Sequence, residues 1–251
     1  MKDQMTLAAV NLYAVLGTIP RLCALSPEAH DLIKSDSVSL AFAVKNGPSA
    51  TLFFDKGSVR MEHGTKGAQI YIPLGTPKKF NGVIDGNVTP IPTRGFTKLG
   101  FLLKRFTPLT DILSRYLRAA DEDLRDPVFF ATSTRLMLYV ISEAMAAIGN
   151  HDTVGRFSAS NIPDGVARIA IADVDAAYVA AKDHVLTALH GDGVTHTASM
   201  TFRNLEVARA LFDGKLNAVT AVGTGDVAIS GMVPMLDNLN RILDRVAYYL
   251  G

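Results

Sequence analysis

The sequence predicts an α+β fold made of two similar units, each a mainly antiparallel five-stranded curved sheet covered by helices. Three observations carry that expectation: an internal repeat, strands whose apolar and polar residues alternate, and two closing helices with a continuous apolar stripe. FTPLTDILSRYL (106–117) aligns without gaps on MVPMLDNLNRIL (232–243), an offset of 126, with identities at Pro108/Pro234, Asp111/Asp237, Leu113/Leu239, Arg115/Arg241 and Leu117/Leu243. Upstream, VIDGN (83–87) lies over LFDGK (211–215) at offset 128, and His63-Gly64 over His190-Gly191 at offset 127. Offsets that agree this closely over such a span point to two copies of one unit, with boundaries at 1–120 and 128–251 and the charged run RAADEDLRDP marking a linker at 121–127.

The elements follow in the same order in each copy. The first opens with an amphipathic helix near 5–17, followed by strands near 38–44, 49–54, 58–63 and 68–73, with turns at Asn46-Gly47, Lys56-Gly57 and Gly64-Thr65-Lys66-Gly67. The second opens with a helix near 128–149, then strands near 166–172, 176–181, 185–190 and 195–202. The fourth strands alternate in register: Ile70, Ile72 and Leu74 match Ala198, Met200 and Phe202, while Gln69 and Tyr71 match Thr197 and Ser199. One face is apolar and the other polar, so the four strands read as a meander with one face on a core. A helix comes next (76–85 and 203–213), ending at Asp-Gly, where Gly86 and Gly214 suit a left-handed C-cap. A fifth strand is clear at 226–230 and degraded around 89–93, where Pro90 and Pro92 oppose pairing. The closing helices begin near Pro108 and Pro234.

Composition narrows the function. Of 251 residues, 48% are hydrophobic and 20% charged, a globular balance that excludes wholesale disorder. The 25 Lys and Arg against 24 Asp and Glu leave a net charge of +1, which supplies no overall field for nucleic acid or an anionic membrane; such partners need a local patch. The lone Cys23 excludes an intrachain disulfide framework and a cysteine metal cage. The N-terminal apolar run has Asp3 beside Lys2 and is interrupted by Asn11, unlike an export signal, and Leu136–Ile148 is too short to span a bilayer, so a soluble, cytoplasmic protein is expected.

The run ASMTFRNLEVARALFDGKLNAVTAVGTGDVAISGMVPMLDNLNRIL (198–243) resembles the sterol carrier protein family, a lipid-transfer domain. The resemblance is good over 166–246 and weaker, but in order, over 38–117. It implies a curved sheet covered by helices around an apolar tunnel that takes sterols, fatty acids or acyl-CoA. This chain departs from the pattern in having two copies, no Trp, and Pro90 and Pro92 where a fifth strand pairs.

The residues themselves offer apolar surface. Leu102, Phe106, Leu109, Leu113 and Leu117 form one helical stripe, and Met232, Met235, Leu239, Leu243 and Val246 another. Such a stripe serves an ordinary core as readily as a ligand wall, and the thioethers of Met200, Met232 and Met235 shift the balance toward an adaptable surface. The expected lining is Ala198, Met200, Phe202, Phe212, Met232, Met235, Leu239 and Leu243 in the second copy, with Ile70, Ile72, Leu74, Phe106, Leu109 and Leu113 in the first. The basic residues Lys78, Lys79, Lys98, Lys104 and Arg105 read as a solvated face or as a patch for an acyl-CoA phosphate or an anionic membrane surface.

Catalytic signatures are missing: no Gly-x-Ser-x-Gly, His-Glu-x-x-His, P-loop or strand-anchored Gly-x-Gly-x-x-Gly occurs. Gly223-Thr-Gly225 reads as a turn, Asp173-Val-Asp175 as a hairpin turn, His63 and His190 as matching turn residues, and Cys23 as a thiol without a partner base. His184, His190 and His196 lie on adjacent predicted strands with no carboxylate at ligand spacing, so no metal is expected. The expectation is a non-catalytic carrier of a hydrophobic ligand, without cofactor, metal or nucleic acid. Transient membrane contact and a homodimer are the partner expectations beside the lipid, and the alternative is an interaction or dimerisation module with filled pockets.

Overall fold

In the computed structural model, which describes residues 2–191 and 193–251, the chain opens on one long helix, Gln4–Leu25. It is apolar and long enough to cross a membrane, yet 61% of its apolar window is buried inside the protein. Ala8, Leu12, Leu16, Ile19 and Leu22 enter the core, which is why it outruns the amphipathic stretch expected at 5–17. Its one buried amide is paired: Asn11 Nδ2 donates to Asn81 Oδ1 (3.1 Å), and Asn81 Nδ2 donates to Gln4 O (3.1 Å). That exchange ties the opening helix to helix Pro77–Ile84 without leaving an orphaned polar group. Two units emerge, Met1–Leu136 and Met137–Gly251, divided inside helix Pro127–His151.

The first sheet contains β1 (Ser37–Val44), β2 (Ser49–Asp55), β3 (Ser58–His63) and β4 (Ile70–Leu74), in the order β3-β2-β1-β4. It is not the meander expected. β4 leaves β3 and pairs in parallel with β1, Leu40 opposite Ile70 and Val44 opposite Leu74. The physical reason lies in β1, whose residues are buried almost without interruption and therefore belong at the centre, with a neighbour on both sides. Gly64 and Gly67, at φ 86° and 78°, turn the crossing segment. Ser39 fixes it there, its Oγ donating to Gly67 O (2.8 Å) and accepting from Gln69 N–H (3.0 Å).

The second sheet repeats this topology with one strand more. β5 (Gly165–Ile171), β6 (Asp175–Lys182), β7 (Val185–Leu189), β8 (Ala198–Phe202) and β9 (Val227–Gly231) lie in the order β7-β6-β5-β8-β9. Again β5 and β8 are parallel, Ala167 opposite Ala198, and the other pairs are antiparallel. The expected fifth strand of the first unit is absent as a strand: one bridge, Tyr71 to Arg94, is all that pairs with the outer edge of β4 among the described residues. Pro90 and Pro92 offer no N–H to a ladder, and Gly95 at φ 90° turns the chain away after Arg94.

The helices after the fourth strands agree closely between units. Thr76 caps Pro77–Ile84 by accepting from Lys79 N–H (3.2 Å), and Asn204 caps Leu205–Phe212 by accepting from Val207 N–H (2.9 Å). Both end with an Asp at φ −77°, ψ −1° followed by a left-handed glycine, Gly86 or Gly214, the C-cap their sequences call for. The closing helices differ. Val233–Leu250 starts fresh at Pro234. Thr107–Leu117 instead continues from Phe96–Lys98, Leu99–Phe101 and a widened π turn, Leu102–Phe106. Pro108 sits just after that turn, and a proline ring that would strike the carbonyl four residues back is accommodated by widening the helix.

Two short helices went unread in the sequence, Pro27–Ile33 and Thr153–Ala159, and Gly223 ends a third, Ala218–Gly223, where only a turn was expected. Thr153–Ala159 is anchored by Asp152, whose buried carboxylate accepts from Val154 and Gly155 N–H (3.0 and 2.9 Å) at the helix start. The same carboxylate accepts from Arg245 Nη2 (2.9 Å) and Tyr249 OH (2.7 Å) of the closing helix. Burial alone raises its pKa, but the hydrogen bonds from Arg245, Gly155 and Tyr249 outweigh that and bring it down to about 2. Because the folded value lies below the ordinary 3.8, the stabilisation is complete above that value and is lost as pH falls toward 2. Asp152→Asn keeps a capping oxygen and removes the charge, so it lowers unfolding free energy by about 2 kcal/mol near neutral pH. The gap between wild type and variant in urea melts closes as the pH is taken down through that window.

Cys23 lies in the opening helix, buried, and burial pushes its thiol up to about 12. At pH 8 the native thiol is therefore almost wholly protonated. Iodoacetamide is expected to alkylate it roughly a hundredfold slower in the native chain than in guanidinium, as read by mass spectrometry.

Candidate functional site

The pairing registers place each sheet's apolar residues on a single face. In the first unit that inner face carries Leu40 and Phe42 of β1, Leu52 and Phe54 of β2, and Ile70, Ile72 and Leu74 of β4, all buried. In the second it carries Ala167, Ile169 and Ile171 of β5, Ala177, Val179 and Ala181 of β6, Ala198, Met200 and Phe202 of β8, and Val227 and Ile229 of β9. Superposing the registers (Leu40 opposite Ile70, Ala167 opposite Ala198) sets Leu40, Phe42, Leu52, Phe54 and Ile70 over Ala167, Ile169, Val179, Ala181 and Ala198. These five are smaller in the second unit, whereas Leu74 lies over the larger Phe202.

The first unit's face is closed by aromatic rings. Phe42 meets Phe80 of helix Pro77–Ile84 (centroids 6.1 Å apart) and Phe106 (5.8 Å), while Phe54 meets Phe101 (5.0 Å) and Phe106 (6.4 Å). Leu109 and Leu113 of the closing helix are buried in the same cluster. Of the six residues expected to line a pocket here, Ile70, Ile72, Leu74, Leu109 and Leu113 are sealed core and Phe106 is half-buried against the cluster.

The second unit's face is closed at one end and open at the other. Leu186 of β7 and Ile242 of the closing helix crowd Gly149, so close that a Cβ on Gly149 would lie 2.4 Å from Leu186 Cδ1. Met235 and Leu239 are buried, and Thr197 Oγ1 donates weakly to Met235 Sδ (3.9 Å). Ala198 is also buried, and so is Phe202, edge-on to the half-buried Phe212 at 5.4 Å. Between them Met200 is only half-buried, and Ile229, opposite it on β9, is 41% exposed. Helix Ala218–Gly223 packs on β9 and leaves Val222 37% exposed. Met232 and Leu243 are half-buried. Met200 and Ile229, opposite each other on β8 and β9, are thus the stretch of the inner face left partly exposed.

Ile229 and Val222 are absent from the lining the sequence suggested. The period-two pattern of Val227 and Ile229, opposite Phe202 and Met200, is the signal that finds Ile229. The closing helix also buries Leu236, Ile242 and Tyr249, which the simple stripe omits. Two concavities lie away from every expected lining residue. One of about 350 Å³ is bordered by Pro20, Cys23, His30, Gly57 and Val59, the other of about 400 Å³ by Asn150, Arg156, Asp183 and His184.

The titratable residues singled out in the sequence serve local structure. His63 stacks on Tyr13 (4.4 Å), and Tyr13 OH accepts from Ser49 N–H (3.3 Å); burial raises the Tyr13 pKa, partly offset by its backbone bond to Ser49. His190 Nε2 lies 2.7 Å from Glu143 Oε1 and edge-on to Tyr139, whose hydroxyl donates to Asp175 at the start of β6. Among the described residues no three His, Cys, Asp or Glu side chains come together in a set able to hold a metal ion.

Electrically the two units are opposite. The first, 1–136, contains 17 Lys and Arg against 12 Asp and Glu, a net +5; the second, 137–251, contains 8 against 12, a net −4, and the two sum to the chain's +1. Lys78 and Lys79 are exposed at the start of helix Pro77–Ile84, and Lys98 and Lys104 lie along the extension before the first closing helix. Arg105 pairs with Asp36 (3.4 Å).

No protein-family model matches the chain, and no curated protein does. The chain is similar in structure to sterol carrier protein domains. The sterol carrier protein domain 2 of Helicoverpa armigera matches at 16% identity and a TM-score of 0.36, over 45% of this chain and 89% of that one. A solved structure described as the UbiJ-SCP2 ubiquinone synthesis protein matches at 11% identity and a TM-score of 0.34, over 43% and 96%. Sterol carrier protein 2 like 2 from Aedes aegypti matches at 21% identity and a TM-score of 0.29, over 42% and 94%. Each match covers a share of the chain equal to about one unit.

Proposed function

We propose that the protein is a non-catalytic lipid binder whose second unit takes a hydrophobic ligand of the sterol, fatty acid or acyl-CoA class in the groove over β8 and β9. The observation that carries this reading is the partial exposure of Met200 and Ile229 on an inner face whose other apolar residues are buried. A chain laid there removes its own methylenes and these side chains from water, at about 0.8 kcal/mol per buried methylene, with no need for a precise set of hydrogen bonds. The Met200 thioether adapts to ligands of different shape. The acidic balance of this unit favours a neutral or weakly charged lipid over the polyanionic head of acyl-CoA. The sterol carrier resemblance of residues 198–243 supports the same ligand class.

The first unit favours the second reading, an interaction module with a filled pocket. Phe42, Phe54, Phe80, Phe101 and Phe106 occupy the space between its sheet and helices. Displacing them for a ligand would cost as much apolar burial as the ligand gains.

The test is uptake of a fluorescent fatty acid by the full chain, with native mass spectrometry and organic extraction of the purified protein to identify what it carries. Ile229→Asp places a carboxylate at the groove floor on an already exposed position, and it weakens uptake by roughly tenfold. Val174→Asp, an exposed substitution in the turn between β5 and β6, leaves uptake unchanged. Equal uptake by wild type and Ile229→Asp, or no uptake by wild type at micromolar protein, would overturn the assignment.

A further inference from the structure

We infer that the first unit docks on an anionic lipid bilayer through segment 91–105, with Ile91, Phe96 and Leu103 entering the headgroup layer and Lys98 and Lys104 pairing with lipid phosphates. The inference stands on observations separate from the groove of the second unit. Within this one segment Ile91 is 71% exposed, Phe96 60%, Leu99 38% and Leu103 71%. Scattered apolar residues on a surface mean little, but three large ones more than half exposed within thirteen positions form a feature. Phe96, Leu99 and Leu103 are spaced i, i+3 and i+7 along the helical extension, so they share a side of it.

The same segment carries cations, with Lys104 exposed and Lys98 half-buried. From Asn87 through Thr110 the chain has Arg94, Lys98, Lys104 and Arg105 and no Asp or Glu. Arg94 is engaged with Ala68 O (2.8 Å) and Arg105 with Asp36, which leaves the two lysines to meet an external anion. The net +5 of this unit extends the bias beyond the segment. A polyanion such as nucleic acid would satisfy the lysines and leave Ile91, Phe96 and Leu103 in water. Only an interface that is anionic outside and apolar beneath satisfies both sets, and an anionic bilayer has that structure.

The segment is also where the two units part company. Gly95 lies nine positions after Gly86, against seventeen from Gly214 to Gly231; Pro108 lies thirteen positions after Gly95, against three from Gly231 to Pro234. Gly95 follows Arg94, which bridges Tyr71, and Gly231 follows Ser230, which pairs with the corresponding Ser199; both glycines are left-handed, and Gly231 itself still pairs with Ala198. The first unit has therefore lost the helix the second has before β9 and gained the extension Phe96–Phe106. The gained segment turns Phe101 inward, where it is buried, and leaves Phe96 and Leu103 in solvent.

The experiment is sedimentation of the full chain with vesicles of phosphatidylcholine, alone or mixed with phosphatidylglycerol. Wild type is expected to pellet with the mixed vesicles and to release as salt is raised. Phe96→Asp with Leu103→Asp weakens this binding by roughly tenfold or more, and Lys98→Gln with Lys104→Gln weakens it by about the same and flattens its salt dependence. Uptake of the fluorescent fatty acid by these variants is expected to match wild type, which reports that the chain is folded. Vesicle binding that survives both pairs of substitutions, or equal binding to neutral vesicles, overturns the inference. So does binding to duplex DNA in preference to mixed vesicles, or a native mass showing that the aspartates only dissociate a dimer. Loss of fatty-acid uptake in wild type with vesicle binding intact would instead sink the groove assignment and leave the docking surface standing.

Discussion

Each sheet in this protein presents one continuous apolar face that has to be covered, and the way each unit meets that requirement determines the rest of its structure. The first unit meets it with volume. Leucine and phenylalanine on the sheet are met by Phe80, Phe101, Phe106, Leu109 and Leu113 from the helices, and the result is a close-packed core. The second unit has alanines at Ala167, Ala181 and Ala198 and helices that come in close over one half of the sheet, as the crowding at Gly149 shows. Small side chains allow that approach only where a helix is present to make it. Over β9 the cover is the short helix Ala218–Gly223, and the face stays partly open there.

Much of the fold was legible because burial and periodicity speak directly in the sequence. The alternation in Ile70, Ile72, Leu74 and in Ala198, Met200, Phe202 identified both fourth strands and the face each buries. The Asp-Gly endings located both helix C-caps through a rule that needs only local backbone chemistry. Pairing order was not legible. A strand's partner depends on the whole sheet, and the parallel placement of β4 beside β1 follows from β1 being buried on both faces, a property that a reading of adjacent strands as hairpins overlooks. Asp152 shows the same limit for polar groups. Its partners Arg245 and Tyr249 lie more than ninety positions away, so nothing near it announces a buried carboxylate.

The gapless match of 106–117 to 232–243 concealed the most consequential difference between the units. The first unit's spacing is eight residues shorter before Gly95 and ten longer after it; these differences nearly cancel, so the offset drifts only from 128 to 126. Where a fifth strand was expected at 89–93, the edge of β4 is met only by the single bridge at Arg94 among the described residues. The apolar stripes of both closing helices face inward. Leu109, Leu113, Met235 and Leu239 are sealed, and the open positions are the strand residues Met200 and Ile229. A helical stripe reports which way a helix faces and is silent on whether the opposing surface is fully met.

Charge follows the same lesson at larger scale. The near-neutral total supplies no overall field and leaves any anionic partner to a local patch, yet it is the sum of a cationic unit and an anionic one. Physiological salt screens charges beyond about 8 Å, so what a surface feels is the local balance and not the total. A carboxylate-free run of 24 residues with two uncommitted lysines is strongly cationic on that scale, whatever acidic residues the chain holds elsewhere. The same screening spares the second unit: its acidic residues weaken attraction to an anionic surface only within that distance. A chain with one unit of each sign can therefore present a basic segment to an anionic surface even though its charges nearly cancel in sum.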